Sequence, residues 1–324
     1  MQIPAYCTID FIEEITKRNP VDFITPDNIL AGKTHYEVMD LIANGLKIKT
    51  DCSEEKLKGK TTNPFINYLI KNRRIECSEK DFQELRANNK SFFQKMKDPT
   101  CLYLLTGFDS LSNDYSEQTG HYFFSLKSKL DGLFEERIQT FNVDSPVLWD
   151  FAKGYFDTHH SIVFADPYLY KSKQALEKLI ENMLPKKLMG RYTISLILSD
   201  NCKLYSNGLP SKSEIQIWVN HFKEKINRSI NAVIEFHICN NEDFHDRVII
   251  TNNGCVFSGI GFGMIRHNSS KKDTTWIGFK PFKRVKTNND NSVLVYKLMK
   301  NKLSTIKSWI LKSDQRNTQN PLFA

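Results

Sequence analysis

Phe244-His245-Asp246-Arg247-Val248-Ile249-Ile250-Thr251-Asn252-Asn253-Gly254 is the stretch that decides the fold, and it runs on through Cys255-Val256-Phe257-Ser258-Gly259-Ile260-Gly261. An apolar β-branched run breaks at Asn-Asn-Gly, a strong turn signal, and resumes as a second apolar run. The pattern predicts a hairpin that holds His245, Asp246 and Arg247 at its head. Its far end, Ser258, Gly259 and Gly261, carries a hydroxyl and glycines that let backbone amides approach an anion. Imidazole, guanidinium and bare amides together describe a phosphate site. The same residues also suit a polar surface triplet in front of an ordinary core hairpin.

Upstream of the hairpin the apolar runs Ser161–Ala165, Tyr192–Ser199 and Ala232–Cys239 alternate with amphipathic segments. Strands apolar on both faces belong in the middle of covered sheets. Leu176, Leu179, Ile180 and Met183 mark one intervening helix, and Ile215, Trp218, Phe222 and Ile226 the next. Strand, helix, strand, helix, strand predicts parallel strands with helices on both faces. Asp166 closes the first of these strands and is assigned to the phosphate-site edge, because ligands gather outside the carboxyl ends of such strands. Val147–His159 reads as a further helix and Thr274–Phe279 as an edge strand, and a basic helix over 293–312 closes the chain.

The first 145 residues read as an α/β region of unknown fold and role, and 146–324 as the domain that carries the site. An apolar start leads into a helix from Asp10, and a second helix ends at Asn44-Gly45. Ser53–Lys60 reads as a charged loop, Phe65–Asn72 and Ser78 through Met96 as helices, and 109–120 as a polar loop between strand-like runs. Asp10 suits either the strand-end acid of a metal-dependent nuclease or a helix N-cap. His35 and His121 suit structural roles.

At 324 residues with 40% hydrophobic content the chain can bury more than one core. No stretch approaches the roughly 18 apolar residues of a membrane span. Asp10, Glu13 and Glu14 stand where a cationic leader would, so a cytoplasmic protein is expected. Seven cysteines without a C-x-x-C pair predict free thiols and no zinc site. The net charge of +8 is uneven: from Gly263 onward thirteen Lys or Arg face three acids, whereas everything before is slightly acidic. A basic quarter directly after a candidate phosphate site points to an anionic partner, nucleic acid or another phosphate-bearing ligand.

The order strand ending Asp-Pro-Tyr, helix, strand, helix, strand, then His-Asp-Arg and a small-residue segment, over residues 147–285, resembles the phospholipase D-like fold. Within it the chain is similar to single-motif members, the C-terminal domain of eukaryotic MIT-domain proteins and bacterial relatives associated with defence or conflict systems. The resemblance implies an α/β architecture, a phospholipase D-like mixed sheet flanked by helices. It implies metal-free chemistry with no cofactor, in which one His attacks phosphorus and a second protonates the leaving oxygen. His245 takes the nucleophile position, and Arg247 replaces the usual lysine with a bidentate fork. Asn252 stands where the family has an acid, leaving Asp246 to supply a carboxylate. No second motif is present, so an acid–base pair needs a homodimer with two His245 residues meeting. Three readings follow. One is a catalytically degenerate phosphate- or nucleic-acid-recognising protein, in a bacterial defence complex. The second is a metal-independent nuclease active as a homodimer. The third is a phosphoinositide-binding protein at a membrane surface.

Overall fold

A computed structural model describes residues 1–17, 29–96, 98–107, 113–126, 130–142, 155–156, 158–167, 173–199, 212–239, 247–258, 273–286, 291–313 and 316–324. The chain forms two compact units. One comprises Met1–Ser116, His121–Glu135 and Phe282–Lys297, the other Glu117–Gly120, Glu136–Pro281 and Leu298–Ala324. The single boundary drawn after residue 145 thus becomes an interleaved division, with 282–297 returning to the first unit.

The first unit is built on β1 (Ile3–Cys7), α1 (Ile9–Lys17), α2 (Ile29–Asp40), β2 (Leu46–Thr50), α3 (Glu54–Gly59), α4 (Pro64–Lys71), β3 (Ile75–Cys77), α5 (Glu79–Ala87), α6 (Asn89–Lys95), β4 (Leu102–Leu104), the first part of α7 (Asn113–Thr119) and β5 (Tyr122–Phe124). Its sheet has the order β3-β2-β1-β4-β5, and every pair is parallel. Alternate residues feed two cores, as a strand covered on both faces requires. Ile3, Ala5 and Cys7 join Leu102 and Leu104 on one face, while Tyr6 and Tyr103 stack on the other under Phe82 and Phe92. The expected charged loop at 53–60 is instead α3, because Ser53 accepts the Lys56 amide and Glu54 and Glu55 fill the first turn. The helix expected from Ser78 to Met96 breaks at Asn88, whose side chain caps α6 by accepting from the Ser91 amide. Part of the polar loop expected at 109–120 is α7.

The second unit carries β6 (Glu136–Asn142), β7 (Ser161–Ala165), α8 (Lys173–Met183), β8 (Tyr192–Ser199), α9 (Lys212–Asn227), β9 (Ala232–Cys239), β10 (Val248–Thr251), β11 (Gly254–Ser258) and β12 (Asp273–Phe279). The sheet order is β6-β12-β11-β10-β7-β8-β9. β7, β8 and β9 are parallel, and the other four strands pair antiparallel. The result is a mixed α/β sheet. β12 lies inside it rather than at its edge, because β6, whose polar alternation hid it in the sequence, pairs along all seven residues of β12. Two short strands, β13 (Arg284–Lys286) and β14 (Ser292–Leu294), and the terminal helix α10 (Val295–Lys312) complete the chain.

α8 and α9 pack into one core on one face of the second sheet, through Leu176, Leu179, Ile180, Trp218 and Phe222. They do not straddle it as expected. Strand order 7-8-9 advances in one direction, and right-handed crossovers then leave both helices on the same side. Glu177 links the two helices, accepting from Trp218 Nε1 at 3.1 Å and Lys225 Nζ at 3.2 Å. Residues 318–323 close over polar side chains of β8 and β9. Asn320 Nδ2 donates to Ser195 Oγ (2.8 Å) and to the carbonyl of Ile162 (3.1 Å). Glu235 accepts from Ser195 Oγ at 2.7 Å, from the Gln319 amide at 3.0 Å, and from Thr318 Oγ1. Burial pushes the Glu235 carboxyl up, but these bonds and His237 outweigh it and hold the pKa down at about 2.

Candidate functional site

β10 runs antiparallel to β7 with Val248 opposite Ala165 and Thr251 opposite Ile162. Its first residue therefore lies beside the carboxyl end of β7, and the neighbours of those two residues are Arg247 and Asp166. β11 returns with Phe257 opposite Val248, and the Ser258 amide donates to the Arg247 carbonyl at 3.1 Å. Asp166, Arg247 and Ser258 thus sit on three adjacent strands, within roughly 10 Å given strand spacing of about 4.8 Å. Asp166 is 1% exposed, Ser258 is buried, and Arg247 is half-buried. The Asp166 amide donates to the Ile197 carbonyl, tying this edge to the end of β8. A guanidinium and a hydroxyl collected beside the carboxyl end of β7 can bind an oxyanion, and the neighbouring Asp166 carboxylate can orient the guanidinium. His245, Asp246, Gly259 and Gly261 lie outside the described residues.

The opposite edge is built differently. Asn252 lies five residues along from Arg247, a separation of roughly 16 Å in extended chain. It is 0% exposed. Its Oδ1 accepts from the His160 amide at 2.9 Å, and its Nδ2 donates to the Gly120 carbonyl at 2.8 Å. Asn253 Nδ2 donates to the carbonyls of Gly120 and Thr158. The amide at the position where the resemblance expects an acid is a clamp on distant backbone, and a carboxylate there would not reach Arg247. Residues 155, 156 and 158–160 form turns and bends rather than the end of a helix, since these side chains take backbone groups that a helix would use internally. The other residues of that expected helix lie largely outside the described set.

His159 belongs to this far edge too. Nδ1–H donates to the Phe156 carbonyl and Nε2 accepts the Tyr192 hydroxyl at 2.6 Å. Burial drives its pKa down to about 3, so the ring is neutral and structural. Lys280, one of the thirteen basic residues of the last quarter, is 3% exposed. Its Nζ donates to the Tyr155 carbonyl and stands 4.2 Å from the Tyr155 ring centroid. It holds the fold together instead. Arg284 is engaged as well, with Nε 2.7 Å from Asp40 Oδ2.

In the first unit, strand order 3-2-1-4-5 puts a switch point between β1 and β4, where α/β sheets bind ligands. Here the backbone amides at that point are taken by the protein: Ile9 N donates to Asp51 Oδ1, and Thr106 N to Thr8 Oγ1. Asp10 is exposed in the first turn of α1, neither its cap nor part of an acidic cluster. A separate cleft of about 360 Å³ is lined by Tyr6, Lys49, Asp81 and Phe92. Tyr6 donates its hydroxyl to Asp81 at 2.9 Å, and Lys49 pairs with the same carboxylate at 3.1 Å. Burial and that hydrogen bond push the Tyr6 phenol up. His121 stacks on Phe93 in the core. Among the described residues no group of three or more His, Cys, Asp or Glu side chains is placed to hold a metal ion, and no helix is long and apolar enough to cross a membrane.

Fold and site define an α/β protein whose mixed sheet gathers Asp166, Arg247 and Ser258 at the carboxyl end of its parallel strands. No family model matches the chain, and no curated protein matches it. Among solved structures it aligns with TrmBL2, an archaeal chromatin protein described as showing a novel mode of DNA binding. The alignment covers 94% of this chain and 97% of that one at 12% identity, with a TM-score of 0.30. A likeness at that score carries no argument about fold or function.

Proposed function

We propose that this chain is a phosphate-recognising protein of the phospholipase D-like kind, that its ligand is nucleic acid, and that its catalysis is degenerate. The observation that carries the reading is the register of β7, β10 and β11, which brings Asp166, Arg247 and Ser258 to one sheet edge. A half-buried guanidinium there gives charge-assisted, bidentate bonds to a phosphate. Membership of a bacterial defence complex rests on the resemblance alone.

Fluorescence anisotropy with labelled oligonucleotides tests the reading. Arg247→Ala removes a hydrogen bond to a charged group worth about 1.5–3 kcal/mol, so affinity should fall roughly tenfold to a hundredfold. Arg247→Lys keeps the charge and loses the fork, and an intermediate loss is expected. Unchanged affinity in a folded Arg247→Ala protein sinks the proposal. A second reading, a metal-free nuclease, is favoured by His245 standing two residues ahead of Arg247 in the chain. Cleavage that survives EDTA, vanishes in His245→Ala and tracks dimer formation would establish it in place of simple binding.

A further inference from the structure

The basic excess of the last quarter is not spread evenly once Lys280 and Arg284 are accounted for. Much of it lies on the terminal helix. α10 carries five lysines and no acid in its 18 residues. Its inner side is committed to packing, with Leu303, Ile306, Trp309 and Ile310 buried. From Lys300 on, the outer side presents Lys300, Ser304, Lys307, Ser308 and Lys312, and exposed Arg316 follows. At 100° per residue Lys300, Lys307 and Lys312 fall within an arc of roughly 140°, and Lys300 to Lys312 spans about 18 Å. Lys307 lends one donor to the Phe323 carbonyl, and an ammonium has two more. Helices that use lysine only for solubility generally place acids at i±4, which relieves like-charge repulsion. This one has none.

We propose that the outer face of α10, continuing to Arg316, follows the sugar–phosphate backbone of a nucleic acid without reading its sequence. The proposal rests on the nucleic-acid reading above and adds a second, independent contact surface to it. Three features select this partner. Between Lys300 and Lys312 every charged residue of the face is cationic, which calls for an anion, and Asp314 precedes Arg316 in the chain. The face's length of about 18 Å is far more than a single phosphate needs. Lysines with a serine hydroxyl among them, here Ser304, are groups that contact phosphate oxygens, while Ser308 donates its proton to the Thr305 carbonyl at 2.7 Å. A bilayer is disfavoured, because the apolar side of α10 is buried in the protein and Leu311, 56% exposed, is the one large apolar residue on the outer face.

The test is the salt dependence of binding to a fluorescent 20-nucleotide single strand and to the corresponding duplex. The full-length triple variant Lys300→Ser, Lys312→Ser, Arg316→Ser is compared with a control of equal charge loss elsewhere, Lys186→Ser, Arg191→Ser, Arg228→Ser. Each lost phosphate contact should reduce the slope of log K against log salt by about 0.7–0.9, so the α10 triple should lose roughly two units of slope and the control little. Affinity should fall at least about tenfold near 0.1 M salt. Equal losses in both triples, or none in the α10 triple, would overturn the proposal. So would a triple that loses binding to phosphatidylserine vesicles while keeping nucleic acid. Arg247→Ala separates the two readings. If it leaves binding intact while the α10 triple abolishes it, the sheet-edge site fails and the helix stands; the reverse sinks the helix.

Discussion

Asn252 shows how one side chain can look like a degraded catalytic position and yet be fully employed. Its amide supplies an acceptor to two backbone N–H groups and a donor to the Gly120 carbonyl, a combination that a carboxylate cannot offer. Asn252→Asp would set a buried charge against that carbonyl. The substitution should destabilise the second unit by about 3 kcal/mol, as expected for an uncompensated buried charge, without raising phosphate affinity. Urea unfolding monitored by tryptophan fluorescence, with anisotropy in parallel, measures both. A variant as stable as the parent that binds or cleaves better would show that position 252 serves the site after all. The turn signal of Asn-Asn-Gly was legible locally. Its partners, 132 and 92 residues away for the two strongest bonds, were not.

The element that the sequence hid most completely is the C-terminal strap over β8 and β9. Nothing in Thr318-Gln319-Asn320 signals docking, and Glu235 interrupts an apolar strand with no visible compensation. Together they satisfy one another. Because the folded pKa of Glu235 lies below its unfolded value, the stabilisation is complete above about pH 4.5. It is lost progressively as pH falls from there towards about 2. Glu235→Gln removes the charge and turns one acceptor into a donor, so it should cost about 1.5–3 kcal/mol near neutrality. That gap should narrow as pH falls through the same window, which chemical denaturation at a series of pH values would reveal. A pH-independent gap would mean that the carboxylate charge contributes nothing to holding the strap.

At the scale of the molecule, the two units share one interleaved chain. Phe282, Leu294 and Tyr296 belong to the first unit's core, each under 7% exposed. A fragment ending at residue 145 lacks all three. Losing one large buried apolar side chain costs about 2–5 kcal/mol, and a domain's whole stability is about 5–15 kcal/mol. The 1–145 fragment should therefore show no cooperative thermal transition by circular dichroism, whereas the same fragment linked through a Gly/Ser tether to 282–297 should regain one. A sharp transition in the bare fragment would contradict this.

What the amino-acid sequence determined by itself is the set of strands and helices whose burial is written locally. β7 and the β10–β11 hairpin are apolar nearly throughout, β8 and β9 are predominantly apolar runs, and the stripes of α8, α9 and α10 recur at helical spacing, so each announces its own burial. What only the tertiary structure decided is which elements meet. Periodicity reports that a face is covered, not by what. That is why α8 and α9 share one face, why polar β6 rather than β12 forms the sheet edge, and why Lys280 is a buried anchor. Asp166 and Arg247, far apart in the chain, become neighbours because a single antiparallel register sets Val248 against Ala165. That register is chosen by the packing of the whole sheet, and no local pattern encodes it.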